Sequence, residues 1–147
     1  MIKKNYKYIY GPVSSWRLGS SLGVEPISED KKYCSFDCIY CQLGRTAVLS
    51  DERRNFISTF DLVKEVNTLP AIEIDYITFS GTGEPTLAKN LGEMINAVKQ
   101  IRKERIAILT NSSLLGKLDV QRIMIDFIME RLICFRYNLD EMYNNIL

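Results

Sequence analysis

Histidine is absent from this 147-residue chain. Structural zinc often uses Cys and His in two closely spaced pairs, and such a set has no imidazole to draw on here. Net charge of one sign is missing too. Lys and Arg number 19 against 18 Asp and Glu, and the resulting +1 builds no bulk basic surface for nucleic acid. A local RNA-binding patch stays open. No apolar run approaches the ~20 residues of a membrane-spanning helix. The opening Met1-Ile2-Lys3-Lys4-Asn5-Tyr6 is basic, but no long apolar core follows it to make a signal peptide. Cytoplasm is therefore the expected compartment. There is no internal repeat, low-complexity tract or Gly/Ser linker. What remains is an ordinary globular composition, 46% hydrophobic and 25% charged, enough for one modest domain with a real core.

Cysteine is scarce, yet three of the four thiols crowd into Cys34-Ser35-Phe36-Asp37-Cys38-Ile39-Tyr40-Cys41. The spacing is C-x3-C-x2-C. A short loop of this kind can wrap three thiolates around one small object. A four-iron, four-sulfur (4Fe-4S) cluster has four iron corners, normally met by four Cys. Three local ligands leave one iron without a protein sulfur, open to a small molecule through nitrogen and oxygen. Zinc and inert thiols are the competing readings. A disulfide framework suits a short secreted domain, not a Lys/Glu-rich chain without a signal sequence. Cys134 lies far along the chain and reads as a buried small hydrophobe.

The rest alternates between two periods. Tyr6 to Tyr10 is β-prone, with Gly11-Pro12 expected to stop it. Leu22, Val24 and Ile27 predict a short strand feeding the Cys loop. Arg45 to Asn55 reads as a charged, mobile surface segment in which Arg53 and Arg54 are solvated. Ser58 and Asp61 have capping-box spacing ahead of Leu62, Val63, Val66 and Leu69, a helix that Pro70 ends. Ile74, Tyr76, Ile77 and Phe79 predict a strand buried on both faces. It runs into Ser80-Gly81-Thr82-Gly83-Glu84-Pro85-Thr86, whose glycines let backbone approach a ligand closely. Asn90 and Glu93 bracket a second helix start, and Ile106 to Leu109 predict a strand ending in Thr110-Asn111-Ser112-Ser113. Polar residues there stand at the carboxyl edge, where ligands of α/β folds gather, though a plain helix cap or turn explains them as well. Asp119 is expected to cap a third helix, and Leu132 to Tyr137 to form one more strand. The order of elements implies an α/β parallel sheet.

The Cys stretch resembles the C-x3-C-x-aromatic-C signature of the radical S-adenosylmethionine (radical SAM) superfamily, with Tyr40 at the aromatic position. In that family three Cys hold a 4Fe-4S cluster, and the open iron chelates the amino and carboxylate groups of S-adenosyl-L-methionine. Reductive cleavage of the sulfonium then gives a 5′-deoxyadenosyl radical that abstracts hydrogen from a substrate. Gly81-Thr82-Gly83-Glu84-Pro85-Thr86 resembles the family's Gly-Gly-Glu motif. By that match Gly81, Thr82, Gly83 and Glu84 seat the methionyl group, with Glu84 near the ammonium. The Thr110-Asn111-Ser112 segment resembles one whose polar atoms approach the ribose, which implicates Asn111 and Ser112. Tyr10-Gly11-Pro12-Val13, Arg17-Leu18-Gly19 and Ser21-Leu22-Gly23-Val24 are similar to the opening of a branch related to wyosine-type tRNA-modifying proteins. Ser14, Trp16 and Ser20 stand where that opening has Pro, Arg and Arg.

The resemblance covers residues 6–116 and implies the N-terminal half of a partial (β/α)6 TIM-like barrel with parallel strands. Residues 117–147 read as divergent, so the expectation is a single core domain over 1–147, incomplete at its C-terminal end. The implied partners are S-adenosylmethionine, an electron donor such as flavodoxin or ferredoxin, and possible substrates that include tRNA. A non-catalytic iron–sulfur fragment and an electron-transfer module are the alternatives.

Overall fold

The structure is a computed structural model that describes residues 6–128 and the backbone of 133–136. Its chain order is β1 (Ile9–Ser15), β2 (Gly19–Val24), β3 (Tyr33–Cys34), β4 (Val48–Leu49), α1 (Thr59–Asn67), β5 (Tyr76–Phe79), a 3-10 turn at Pro85–Leu87, α2 (Leu91–Ile101), β6 (Arg105–Thr110), α3 (Leu118–Ile128) and β7 (Ile133–Arg136).

Five strands form one sheet in the order β1-β2-β5-β6-β7. β1 runs antiparallel to β2, and every later pairing is parallel. The expected α/β architecture is present, and the expected parallel sheet holds from β2 onward, with the antiparallel β1 as the departure. Helical crossovers between parallel neighbours bring the ends of β2, β5 and β6 to one edge.

The departures from expectation are local. β1 does not stop at Gly11-Pro12 but runs through it. A register shift between Tyr10 and Val13 absorbs the two residues, and the Gly11-Pro12 peptide is cis. An edge strand tolerates Pro because its outer N–H groups need no ladder partner. β2 ends at Val24, so Ile27 packs into the core from the following loop.

α1 begins as its capping spacing predicts. The Ser58 hydroxyl accepts from the Asp61 N–H, and Leu62 and Val66 are buried. α2 buries Leu91, Met94, Ile95 and Val98, while Ile101 at its end is exposed. Asn90 makes no side-chain cap there. Its amide donates instead to the Ile57 carbonyl at 3.0 Å and ties the start of α2 to that of α1. Asp119 lies inside the first turn of α3 rather than ahead of it.

The core is one layer of β-branched and aliphatic side chains between the sheet and its helices. Leu22, Val24, Ile77, Phe79, Ile108, Leu62, Met94 and Ile95 are all fully buried. Complete burial of each such side chain stabilises the fold by about 1.5–3 kcal/mol. The side chain of Cys134, read as a buried hydrophobe, lies outside the described residues.

Candidate functional site at the carboxyl edge of the sheet

Three segments meet where the parallel strands end. One is the Cys loop that follows β3. The second is the Ser80–Glu84 turn after β5. The third is Asn111–Ser113 after β6. Between them lies a cavity of about 540 Å³ whose walls include Cys34, Cys38 and Cys41. Gly81, Thr82, Gly83, Glu84 and Asn111 complete the set of sequence-selected residues that face it. Ser112 does not line it. That residue takes a left-handed φ of +64° and donates its N–H to the Thr110 hydroxyl at 3.0 Å.

The Cys loop is clipped at its base and closed by turns within. Val48 and Ser50 donate backbone N–H groups to the carbonyls of Lys32 and Cys34. Thr46 donates its N–H to Asp37 and its hydroxyl to the Phe36 carbonyl, both at 2.7 Å. Inside, the Cys41 N–H reaches the Cys38 carbonyl and the Gly44 N–H reaches that of Cys41. Gly44 takes the left-handed φ of +74° that this closure requires.

All three thiols are free, Cys34 buried and the others half-buried. Burial pushes the Cys34 thiol above its ordinary pKa, and the nearby Glu84 charge adds to the push. Backbone N–H groups of Phe36 and Ser35 and the Lys32 ammonium pull the other way.

The Ser80–Glu84 turn packs backbone to backbone against the Cys loop. Tyr33 pairs with Gly83 as a parallel bridge, and the Tyr33 N–H donates to the Thr82 carbonyl at 3.3 Å. No side chain fits at Gly83, because a β-carbon would collide with the Tyr33 carbonyl oxygen.

Glu84 is buried, and its carboxylate is fully engaged within the protein. Oε1 accepts from the Thr86 N–H at 3.0 Å and from the hydroxyls of Thr86 and Thr110 at 2.6 Å each. Oε2 accepts from the Asn111 N–H at 2.7 Å. Glu84 therefore bolts the turn after β5 to the end of β6, and what the turn offers a ligand is mainly its backbone.

Two further wall residues, Glu25 and Tyr10, were not selected as site residues from the sequence. Glu25, directly after β2, is buried. Its Oε2 accepts from the Thr82 N–H at 2.8 Å, and Oε1 from the Thr82 hydroxyl at 3.1 Å and the Ser28 N–H at 3.2 Å. It fills the space a side chain at Gly81 would need, and Gly81 sits at φ +132°. Desolvation holds the Glu25 carboxyl above the usual carboxylate range despite those donors. Tyr10 shares a hydrogen bond with Ser80, and its ring lies over Gly23 where a β-carbon would stand. For Glu25 the one available signal was its position directly after a strand that ends at the ligand edge; Tyr10 stood in the Tyr10-Gly11-Pro12-Val13 stretch of the branch opening.

Arg53 departs from the solvated reading of the sequence, while Arg54 is exposed as that reading expects. The Arg53 side chain is only 6% exposed. It donates to the carbonyls of Thr86 and Ala88 at 2.7 and 3.0 Å and pairs with Asp119. The Ala88 carbonyl also accepts from the Leu91 N–H at 3.2 Å, but among the described residues the 3-10 turn gives the Thr86 carbonyl no such partner, and the guanidinium supplies the donor. Arg54 stacks on Phe56 and Tyr33 and pairs with Glu29 at 2.8 Å.

Among the described residues, no three His, Cys, Asp or Glu gather tightly enough for one metal ion. A cubane cluster presents its irons at separate corners, so its thiolates need not converge on a point. Three free thiols on one clipped loop at a cavity wall fit such a group.

The sequence profile of the radical SAM superfamily matches residues 31–140, a span that holds the Cys loop, the Gly81–Glu84 turn and Asn111. This chain belongs to the radical SAM superfamily. It is 48% identical over 113 residues to a UPF0026 protein of Synechocystis sp., covering 77% of this chain and 42% of that protein. A UPF0026 protein of Methanocaldococcus jannaschii is 44% identical over 122 residues, covering 80% and 37%. More distantly, a probable GTP 3′,8-cyclase of Saccharolobus islandicus is 29% identical over 86 residues, covering 58% and 26%. This radical SAM chain thus spans about two-fifths of the length of its UPF0026 relatives. No solved structure matches it. Among the described residues, no helix is long and apolar enough to cross a membrane.

Proposed function

We propose that this chain is the cofactor-binding half of a radical SAM enzyme. Cys34, Cys38 and Cys41 would hold a 4Fe-4S cluster, leaving one iron for S-adenosylmethionine. The observation that carries the reading is the shared cavity. The three thiols, the Gly81–Glu84 turn and Asn111 line one space at the carboxyl edge of a parallel sheet.

When bound and reduced, such a cluster supplies the electron that splits the sulfonium and releases a 5′-deoxyadenosyl radical. The chain's own residues bind and orient. The backbone of Gly81, Thr82 and Gly83 receives the methionyl amino group. Glu84 holds that backbone in place from behind, through Thr86, Thr110 and Asn111. Asn111 stands on the ribose side, whereas Ser112, which does not line the cavity, keeps only the family match for such a role. Buried Glu25 fixes the Thr82 N–H and so the shape of the turn.

In this reading the sheet is the first part of a partial (β/α)6 barrel. A flavodoxin or ferredoxin serves as electron donor, the compartment is the cytoplasm, and tRNA is a candidate substrate.

Anaerobic reconstitution with iron and sulfide tests this, followed by reduction in the presence of S-adenosylmethionine. The expected product is 5′-deoxyadenosine, absent when Cys34, Cys38 and Cys41 are all replaced by Ala. Cluster absorbance without any product would favour the non-catalytic fragment. An electron paramagnetic resonance signal indifferent to S-adenosylmethionine would favour an electron-transfer module. A protein that binds zinc, or keeps its iron in the triple replacement, would sink the proposal.

A further inference from the structure

We propose that Asn111 is a positioning residue for the cluster loop, donating its side-chain amide to the sulfur of Cys34 and raising the reduction potential of the group held there. The inference rests on the radical SAM reading and deepens it.

The direction in which the Asn111 amide faces is fixed by chemistry. The Ser113 backbone N–H points at Oδ1 from 2.9 Å, and an N–H can only meet an acceptor. Oxygen therefore faces Ser113, and the NH2 group is turned toward the Cys loop. There Nδ2 donates to the Ser35 hydroxyl at 3.0 Å and to the Cys34 sulfur at 3.7 Å, a usual length for a bond to sulfur. The Ser35 hydroxyl is itself held by that of Ser113 at 2.6 Å. On its backbone side Asn111 donates to buried Glu84 at 2.7 Å.

Both N–H groups of the amide are thus engaged. Oδ1 accepts from the Ser113 N–H at 2.9 Å and, over a long 3.5 Å, from the Ser35 hydroxyl, the weaker contact being the one a ligand can replace. A ribose hydroxyl can still donate to that oxygen, but the NH2 end belongs to the sulfur. An N–H aimed at a cluster sulfur favours the more negative, reduced form. Hydrogen bonds to sulfur are among the protein's levers on iron–sulfur potential. The end of β6 thereby touches the cluster loop directly, and Glu84 links that contact to the methionyl turn.

The test compares reconstituted wild type with Asn111→Ala and Asn111→Asp. Iron and sulfide per chain are measured first, then the midpoint potential by redox titration followed by electron paramagnetic resonance. Both variants are expected to load and to titrate at a more negative potential than wild type. Asn111→Asp should lie lowest, because its carboxylate puts charge where a donor stood. Asp keeps the shape of Asn and Ala adds no charge, so either variant alone can decide. Potentials equal to wild type at full loading would overturn the inference. So would a loss of S-adenosylmethionine affinity in Asn111→Ala with the potential unmoved, which leaves a ribose contact only. A wild-type chain that takes up no cluster sinks the radical SAM reading and this with it; unmoved potentials sink this alone.

Discussion

The carbonyl oxygen of Tyr33 lies so close to Gly83 that a β-carbon on the glycine would overlap it. Tyr33 precedes the first thiol and Gly83 precedes Glu84, so the two halves of the site touch through main chain. Backbone cannot swing aside as a flexible side chain can. Gly83→Ala is therefore expected to push the Cys loop off the turn, at a cost of about 1–3 kcal/mol from overpacking. Iron uptake on reconstitution should fall with it. Gly116→Ala, which would meet nothing within 4 Å, is the control and should leave both unchanged. Equal urea midpoints and equal iron content in the two variants would refute the contact.

Glu84 gives a sharper prediction, because its donors divide between its oxygens. The Thr86 N–H points at Oε1 and the Asn111 N–H at Oε2. Gln offers one acceptor oxygen, so whichever way its amide turns, one buried backbone N–H faces an NH2 group. The Thr hydroxyls can rotate to accept; the N–H groups cannot. Glu84→Gln should lower stability by about 1–3 kcal/mol, the usual penalty of an unsatisfied buried donor. An unshifted denaturation midpoint would mean that the carboxylate is not the bolt between β5 and β6.

What the sequence made legible was whatever local spacing encodes. The Ser58 cap bonds three residues along the chain, and the glycine turn and the thiols fall within eight-residue windows. Their chemistry is written in adjacent letters. Glu25 is different. Its partner Thr82 lies 57 positions away, and a lone acidic residue between Val24 and Pro26 announces nothing. Arg53 sits in a charged run that reads as solvent-facing. It is buried because the 3-10 turn 33 residues on presents a carbonyl that lacks a donor. Asp119 has a capping residue's identity, yet it pairs with that same guanidinium. Asn90 likewise joins two helices rather than capping its own. In each case a long-range polar demand, invisible to periodicity, overrode a local preference.

Thr78 carries the opposite lesson. It sits in β5, buried, and its hydroxyl has no hydrogen-bond partner among the described residues. A buried polar atom left unpaired is a liability that an apolar group of the same shape removes. Thr78→Val should raise stability by about 1 kcal/mol, read as a higher urea midpoint with an unchanged slope. A lower midpoint would show that the hydroxyl is bonded after all.

Glu25 makes stability depend on pH in an unusual direction for a carboxylate. Desolvation raises its pKa, and the N–H groups of Ser28 and Thr82 and the Thr82 hydroxyl only partly offset it. The folded chain then holds the proton more tightly than the unfolded one. Its contribution is fully present below the ordinary Glu pKa and is lost as pH rises through the raised value. Glu104 runs the other way. Burial pushes its carboxyl up, but hydrogen bonds from Arg102 and the backbone outweigh this and leave it lowered. Its contribution is present above the ordinary value and lost in acid. The Glu25 signature therefore lies between the ordinary carboxylate range and its own raised value, with stability falling as pH increases. Glu25→Gln cannot titrate, so the stability of wild type minus that of the variant should shrink across this window. Urea midpoints at closely spaced pH values read it directly. Two profiles that run parallel would show that Glu25 ionises in the folded protein as it does in water.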